Sequence, residues 1–240
     1  MVVLADRQAV GATEVAESIR RQGGRARGVA LDVRDRDMFR EIAEHTQRRE
    51  GRIDLFFNNA GIGIGGEIAD YDRAAWDDVL DVNVRGVAYG IDAVLPILPA
   101  QRSGHIVDAA SMAGLIGMGS MGSYTASKHA VVGLSKALRI EGRRHGVRVS
   151  ALCPGVIRTP ILHGGEYGGH VGRRLTHTNM ERLVNRLRPM EPDRFAKLVL
   201  EDVEKNEPFI IVPRFWKAAW LLDRLAPRLT AHLWDRPYLS

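Results

Sequence analysis

The segment Ile53-Asp-Leu-Phe-Phe57-Asn-Asn-Ala-Gly61 decides the fold, because a short apolar run passes directly into a turn of Asn and Gly residues. A run of this length predicts a buried strand over Ile53–Phe57. Upstream, residues 39–46 place apolar side chains at helical spacing. Downstream, an amphipathic pattern over 73–98 leads to the next apolar run, His105–Ala109. This alternation is typical of a parallel sheet with helices on its faces.

The same alternation extends over the whole chain. The predicted strands are Val2–Ala5, Ala26–Leu31, Ile53–Phe57, His105–Ala109, Val147–Leu152 and Pro208–Val212, and the predicted helices are 12–19, 39–46, 73–98, 122–144, 193–205 and 214–235. We therefore expect an α/β fold with a Rossmann-like, doubly wound, mostly parallel sheet. The 240 residues suit one domain, 1–240, with an irregular region at about 160–192 and a C-terminal amphipathic helix at about 214–235.

Composition excludes several classes of protein. The 34 basic and 29 acidic residues give a net charge of +5, but they are scattered, which does not indicate a nucleic-acid partner. No apolar run reaches the roughly 18–20 residues that span a bilayer, and no signal peptide is evident, so a cytoplasmic location is expected. The single cysteine, Cys153, is interpreted as a small buried residue, and no metal site is predicted.

The pattern Tyr124-Thr-Ala-Ser-Lys128 carries the strongest chemical signal. Residues i and i+4 share one face of a helix, so the phenol and the ammonium can point into one site. A phenol with its ordinary pKa of about 10 is a poor base at neutral pH, and a nearby cation lowers that pKa. Alone, so short a pattern is more often a surface Tyr and Lys.

Four other motifs surround this pattern in the sequence. Ser111 lies just beyond the strand His105–Ala109, Asn58-Asn-Ala-Gly61 follows Ile53–Phe57, and Pro154-Gly155 follows Val147–Leu152, while Asn83 lies within the long predicted helix. Doubly wound sheets bind their ligands at the carboxyl ends of the strands, where the first three of these motifs are expected.

Taken together, Asn58–Gly61, Asn83, Ser111, Tyr124/Lys128 and Pro154-Gly155 resemble the short-chain dehydrogenase/reductase family in order and spacing, from about residue 1 to about residue 160. The resemblance implies that Tyr124 is the catalytic acid–base, that Ser111 binds the reacting oxygen, that Lys128 holds the nicotinamide ribose and lowers the pKa of Tyr124, and that Asn83 anchors a proton-relay water. It further implies a nicotinamide cofactor bound by Asp6, Asp32, Val33, Asn59, Ala60, Gly61, Tyr124, Lys128, Pro154, Gly155, Ile157 and Thr159.

Asp6 bears on the choice of cofactor. By the resemblance it ends the family's second strand, where a carboxylate binds the ribose hydroxyls and repels a 2′-phosphate, which favours NAD. Arg7 beside it leaves NADP open, and a helix N-cap is the competing interpretation of Asp6.

The sequence departs from the family pattern in two places. Asp108 stands where the family usually has Asn, and the opening strand with its TGxxxGxG turn is not evident, since Val2–Arg7 resembles the family's second strand. An N-terminally truncated domain is therefore expected. Gly61-Ile-Gly-Ile-Gly-Gly66 formally matches GxGxxG, but it overlaps Asn58–Gly61 and is interpreted as a flexible loop beside the cleft.

The predicted activity is hydride transfer between NAD and a secondary alcohol or ketone. The segments 112–122 and 160–192 would select a moderately apolar substrate, since they contain Met112, Leu115, Ile116, Met118, Met121, Ile161 and Leu162. The alternative is a non-catalytic remnant that acts through association. By the resemblance, a homodimer or homotetramer paired through 73–98 and 122–144 is expected.

Overall fold

The computed structural model describes residues 1–163, 167–172 and 189–230. The strands in these ranges are β1 (Val2–Asp6), β2 (Ala26–Ala30), β3 (Leu55–Asn58), β4 (Gly63–Gly65), β5 (His105–Ala109), β6 (Arg148–Pro154), β7 (Gly168–His170) and β8 (Phe209–Val212). The α-helices are α1 (Ala9–Arg21), α2 (Arg36–Glu50), α3 (Arg73–Leu80), α4 (Gly86–Val94), α5 (Gly122–Gly142), α6 (Pro192–Glu204) and α7 (Trp216–Leu225).

Local sequence signals set the ends of α2. The Asp35 carboxylate accepts a hydrogen bond from the Met38 N–H at 2.9 Å and so caps the first turn. Gly51 ends the helix in the left-handed conformation, at φ 81°, which glycine adopts without steric cost.

The strands form a Rossmann-like parallel arrangement, as the sequence predicts. The main sheet has the order β3-β5-β6-β8, and all of its pairings are parallel. β1 pairs with β2 in a separate parallel sheet, so that among the described residues no strand pairs β1 with β3. The sheet is therefore in two parts, which the alternation of elements does not reveal.

Both faces of the main sheet are covered. Along β5, Ile106 packs into the larger core cluster with Val94 and Val131, whereas the next residue, Val107, packs on the opposite face with Val199 of α6. Adjacent residues of a strand point to opposite faces, and both Ile106 and Val107 are fully buried. This is the pattern of a doubly wound sheet.

Three sequence predictions about local structure are corrected. The helix predicted over 73–98 is interrupted by a π-helical segment, Asp81–Arg85, and α4 ends at Val94. The glycine-rich segment 61–66 is not a loop throughout, because it contains β4, which pairs with β7 from the region predicted to be irregular. The C-terminal helix spans Trp216–Leu225, and residues 231–235 lie outside the described residues.

Candidate active site

Ser111 and Tyr124 meet at the carboxyl end of β5. Ser111 begins a 3₁₀ turn, and its Oγ accepts a hydrogen bond from the Ala113 N–H at 3.1 Å. Tyr124 lies in the first turn of α5, with its hydroxyl near the Ser111 side chain. Burial raises the pKa of Tyr124, and the interaction with Ser111 lowers it only in part. The two hydroxyls predicted from the sequence to act together therefore do lie together.

Lys128 lies one helical turn beyond Tyr124 and is almost fully buried. Its Nζ donates a hydrogen bond to the Ala109 carbonyl oxygen at 2.7 Å and lies 5.5 Å from the centroid of the Tyr124 ring. Burial lowers the pKa of Lys128 to about 8, and a nearby Cys153 opposes this shift. The net pKa of Tyr124 is raised, because burial of the phenol outweighs the opposing effect of Ser111. The predicted lowering of that pKa by Lys128 stays a prediction.

Asn83 is fully buried in the π-helical segment and binds the chain just after Gly61. Its Oδ1 accepts from the Ile62 N–H at 2.8 Å, and its Nδ2 donates to the Ile62 carbonyl at 2.9 Å and to Ser127 Oγ at 3.0 Å. The side-chain amide thus joins the chain just after the Asn58–Gly61 turn to α5. Its role in a proton relay stays a prediction.

The neighbours of Gly61 leave little space for a side chain at this position. A Cβ on Gly61 would lie 3.1 Å from Lys128 Nζ and 3.3 Å from Asn83 Oδ1. Such contacts are tight, so the absence of a side chain lets the turn approach both groups. Asn59 and Ala60, the preceding residues of the motif, are exposed beside it.

Asp6 and Asp32 lie at the carboxyl ends of the neighbouring strands β1 and β2. Asp6 Oδ1 accepts from the Gln8 N–H at 2.8 Å, in a turn that precedes α1. The Gln8 residue is itself the N-cap of α1, so Asp6 is not the helix cap. Asp32 forms a bidentate ion pair with Arg34, with Nη2 to Oδ2 at 2.6 Å, and this hydrogen bonding lowers the pKa of Asp32. Val33 packs against Gly86 at the start of α4.

The segment after β6 forms the other side of this edge of the sheet. Pro154 ends β6, and the Gly155 N–H donates to the Val212 carbonyl at 2.9 Å. A Cβ on Gly155 would lie 2.2 Å from the indole nitrogen of Trp216, so α7 packs directly on this glycine. Ile157 is buried and bridges to Met190, and Thr159 is half-buried two residues on.

Two features of the site were not predicted from the sequence. β4 lies beside Tyr124, since a Cβ on Gly63 would be 3.6 Å from Tyr124 Cδ2. Met112 and Ile116, predicted to contact the substrate, are instead fully buried in the main core. The glycine-rich composition of 61–66 indicates close packing, but it does not identify β7 as the partner of β4.

Comparison with known proteins agrees with this geometry. A family model described as short chain dehydrogenase matches residues 1–166. An uncharacterized oxidoreductase of Listeria innocua is 31% identical over 214 residues, which cover 86% of this chain and 84% of that protein.

The chain belongs to the short-chain dehydrogenase family. A levodione reductase of Leifsonia aquatica is 42% identical over 132 residues, or 55% of this chain, and the match spans 49% of the reductase. Among solved structures, a short chain dehydrogenase/reductase from Burkholderia phymatum in complex with NAD has a TM-score of 0.82 and 29% identity, covering 95% of this chain and 85% of its own.

No described helix is both long and apolar enough to cross a membrane. Residues 1–163, 167–172 and 189–230 contain no group of three or more His, Cys, Asp or Glu side chains arranged to hold a metal ion.

Proposed function

We propose that this short-chain dehydrogenase transfers hydride between a nicotinamide cofactor, with NAD favoured, and a secondary alcohol or ketone. The observation that carries the proposal is the convergence of Ser111, Tyr124 and Lys128 at the carboxyl end of β5. Two neighbouring hydroxyls beside a buried ammonium provide a proton carrier, an oxygen-binding donor and a fixed charge.

The proton transfer is assigned to Tyr124. In alcohol oxidation the ionised phenolate of Tyr124 accepts the proton of the substrate hydroxyl and becomes the phenol, and in carbonyl reduction the phenol donates that proton to the carbonyl oxygen. Ser111 donates to the reacting oxygen and holds it beside Tyr124. Lys128 keeps a positive charge near the phenol, which favours its ionised form. When bound, an oxidised nicotinamide supplies the hydride acceptor and a second positive charge.

The residues at this edge of the sheet fit a dinucleotide. Two carboxylates, Asp6 and Asp32, stand at the ends of β1 and β2, where a ribose hydroxyl is an appropriate partner. At the other end of the edge, the backbone at Gly61 lies close to Lys128, and the backbone at Gly155 lies close to Trp216. Asn59, Ala60, Val33, Pro154, Ile157 and Thr159 are proposed to complete this surface. Asp6 supports NAD over NADP because its charge opposes a 2′-phosphate.

The split of the sheet supports a further part of the proposal. We propose that the cofactor-binding form contains another parallel strand between β1 and β3, followed by a TGxxxGxG-like turn and a helix. Each of these two strands pairs on one side only among the described residues. Leu55 and Phe57 of β3 are 38% and 37% exposed, and Val2 of β1 is 46% exposed. A strand inserted there would cover these side chains and bond both edges.

The substrate class, assembly and location follow from the resemblance. We propose a single catalytic domain, a moderately apolar substrate, a homodimer or homotetramer, and a cytoplasmic location. Leu115 and Met118, both half-buried beside the 3₁₀ turn that Ser111 begins, support the apolar class.

The test is a direct assay. Purified protein is incubated with NAD and a panel of secondary alcohols graded in polarity, and NADH formation is followed by absorbance. Turnover that rises with the apolar character of the alcohol is expected. Folded protein that binds NAD and yet turns over no alcohol, and no ketone in the reverse direction, would contradict the proposal.

A further inference from the structure

Asp108 is a fully buried carboxyl that joins three elements of the site. It lies on β5, three residues before Ser111. Its Oδ1 accepts from Asn58 Nδ2 on β3 at 2.7 Å, and its Oδ2 lies 2.9 Å from Ser135 Oγ on α5. The elements that it connects carry Gly61, Ser111 and Lys128, so the carboxyl sets their relative positions.

A proton on Asp108 completes the hydrogen bonds around Ser135. Ser135 Oγ lies 2.8 Å from the Val131 carbonyl oxygen as well as 2.9 Å from Asp108 Oδ2. A serine hydroxyl has one hydrogen, and a carbonyl oxygen only accepts. If Asp108 is ionised, the two acceptor oxygens must share that one hydrogen in a three-centre bond. If Asp108 carries a proton on Oδ2, it donates to Ser135, which donates to Val131, and each contact has a hydrogen of its own.

Among the described residues, none of the nearby cations is bonded to the Asp108 carboxyl. The Lys128 ammonium is bound to the Ala109 carbonyl, His105 Nε2 to Ser150, and Arg139 to β6 and Asn206. Cys153 on β6 is a buried thiol whose pKa is raised to about 12. On the α4 side, Gly90 faces Asn58, and a Cβ added at Gly90 would lie 2.0 Å from Asn58 Oδ1. Burial accordingly raises the pKa of Asp108, and its hydrogen bonds offset this only in part.

We propose that Asp108 is a neutral carboxylic acid in the folded protein and acts as a positioning residue, donating to Ser135 and accepting from Asn58. The acid then has one donor and one acceptor side, as an asparagine amide does. Ionisation of Asp108 would leave one serine hydrogen for two acceptor oxygens, Asp108 Oδ2 and the Val131 carbonyl, and would loosen α5 from β5. The effect on turnover rests on the proposed function, whereas the protonation state does not.

The test compares the pH dependence of folding in the wild type and Asp108→Asn. The Asp108 carboxyl ionises near its ordinary pKa in the unfolded chain but stays neutral in the folded protein. Its contribution to wild-type stability is therefore greatest below that ordinary pKa and falls as pH rises toward the folded pKa. The variant lacks this loss. We expect the ratio of its folding constant to that of the wild type to grow up to about tenfold per pH unit between about pH 5 and the pH at which Asp108 ionises in the fold.

Asp37→Asn is the matched control, because the Asp37 side chain is 83% exposed in an ion pair with Arg40. Its ratio is expected to stay nearly constant over the same range. Carbon-13 NMR of the wild-type aspartate carboxyls is a second measurement that needs no variant: the Asp108 signal, assigned by its contact with the Asn58 amide protons, should be that of an acid at neutral pH. A constant folding ratio for Asp108→Asn, or a carboxylate signal at neutral pH, would overturn the proposal. Neither readout depends on turnover.

Discussion

The side-chain amide of Asn83 binds both backbone polar groups of Ile62, with Oδ1 to the N–H at 2.8 Å and Nδ2 to the carbonyl at 2.9 Å. These two hydrogen bonds resemble one backbone pair of a β-sheet. They join a side chain of the π-helical segment to the turn that contains Gly61. The same amide reaches Ser127 Oγ on α5 at 3.0 Å, next to Lys128. One buried residue therefore connects the glycine turn to α5.

Replacement of Tyr124 by Phe tests the proton carrier. We expect kcat to fall by about 10²- to 10⁴-fold, the usual contribution of general acid–base catalysis, with NADH affinity nearly unchanged. Steady-state kinetics and fluorescence titration with NADH measure the two quantities. Tyr89→Phe is the control, since Tyr89 packs against the core from α4. A Tyr124→Phe enzyme that retains more than about a tenth of the wild-type rate would remove Tyr124 from this role.

The cofactor preference is tested at Asp6. The wild type should have a higher kcat/KM with NAD than with NADP, and Asp6→Ser should lower that ratio by about tenfold or more, because a carboxylate close to a phosphate is strongly repelled. Serine retains the ability to accept from the Gln8 N–H, so the local turn is kept. Asp37→Ser serves as the control for a charge change elsewhere. A wild-type preference for NADP would show that Arg7 outweighs Asp6.

Much of this site is predictable because it depends on local sequence. The strand predicted at His105–Ala109 matches β5, and helical spacing places Tyr124 and Lys128 on one face of α5. The acceptor of Lys128 Nζ, the Ala109 carbonyl, is not predictable in this way, since a backbone oxygen leaves no mark in a motif.

Other features depend on contacts between distant segments. The pairing of Gly63 with Gly168 joins residues more than a hundred positions apart, and both segments are rich in glycine, which is depleted in strands. The π-helical segment at Asn83 likewise lies inside a continuous helical periodicity, so hydrophobic spacing alone indicates one uninterrupted helix.

A substitution at Gly168 tests whether the paired strands β4 and β7, which lie beside Tyr124, contribute to substrate binding. A Cβ on Gly168 would lie 1.7 Å from the Gly63 carbonyl oxygen, and its φ of +145° disfavours other residues. Gly168→Ala should therefore separate β7 from β4, lower the stability by about 1–3 kcal/mol, and raise KM for the alcohol more than it lowers kcat.

Gly169→Ala is the matched control for this variant, because a Cβ on Gly169 meets no atom within 4 Å. Chemical denaturation and steady-state kinetics measure the two effects, and NAD affinity should change little in either variant. Equal kinetics for the two alanine variants would mean that β7 does not border the substrate.

The space between β1 and β3 is tested by adding the strand proposed to fill it. A βαβ unit takes roughly 30 or more residues, so a form that carries an in-frame N-terminal segment of about 30–40 residues, with an apolar strand, a TGxxxGxG-like turn and a helix, should complete the sheet. That form should bind NAD more tightly than residues 1–240, because the turn and helix N-terminus offer backbone N–H groups to the cofactor diphosphate. It should also aggregate less, since the edges of β1 and β3 would be paired.

Calorimetric titration of both forms with NAD measures the difference in affinity. A third form, in which alanine replaces the turn glycines, is the control for the turn itself. Equal micromolar affinity for residues 1–240 and the extended form would mean that another segment holds the diphosphate, and Gly61–Gly66 would be the first to examine. Binding by neither form would favour the non-catalytic alternative.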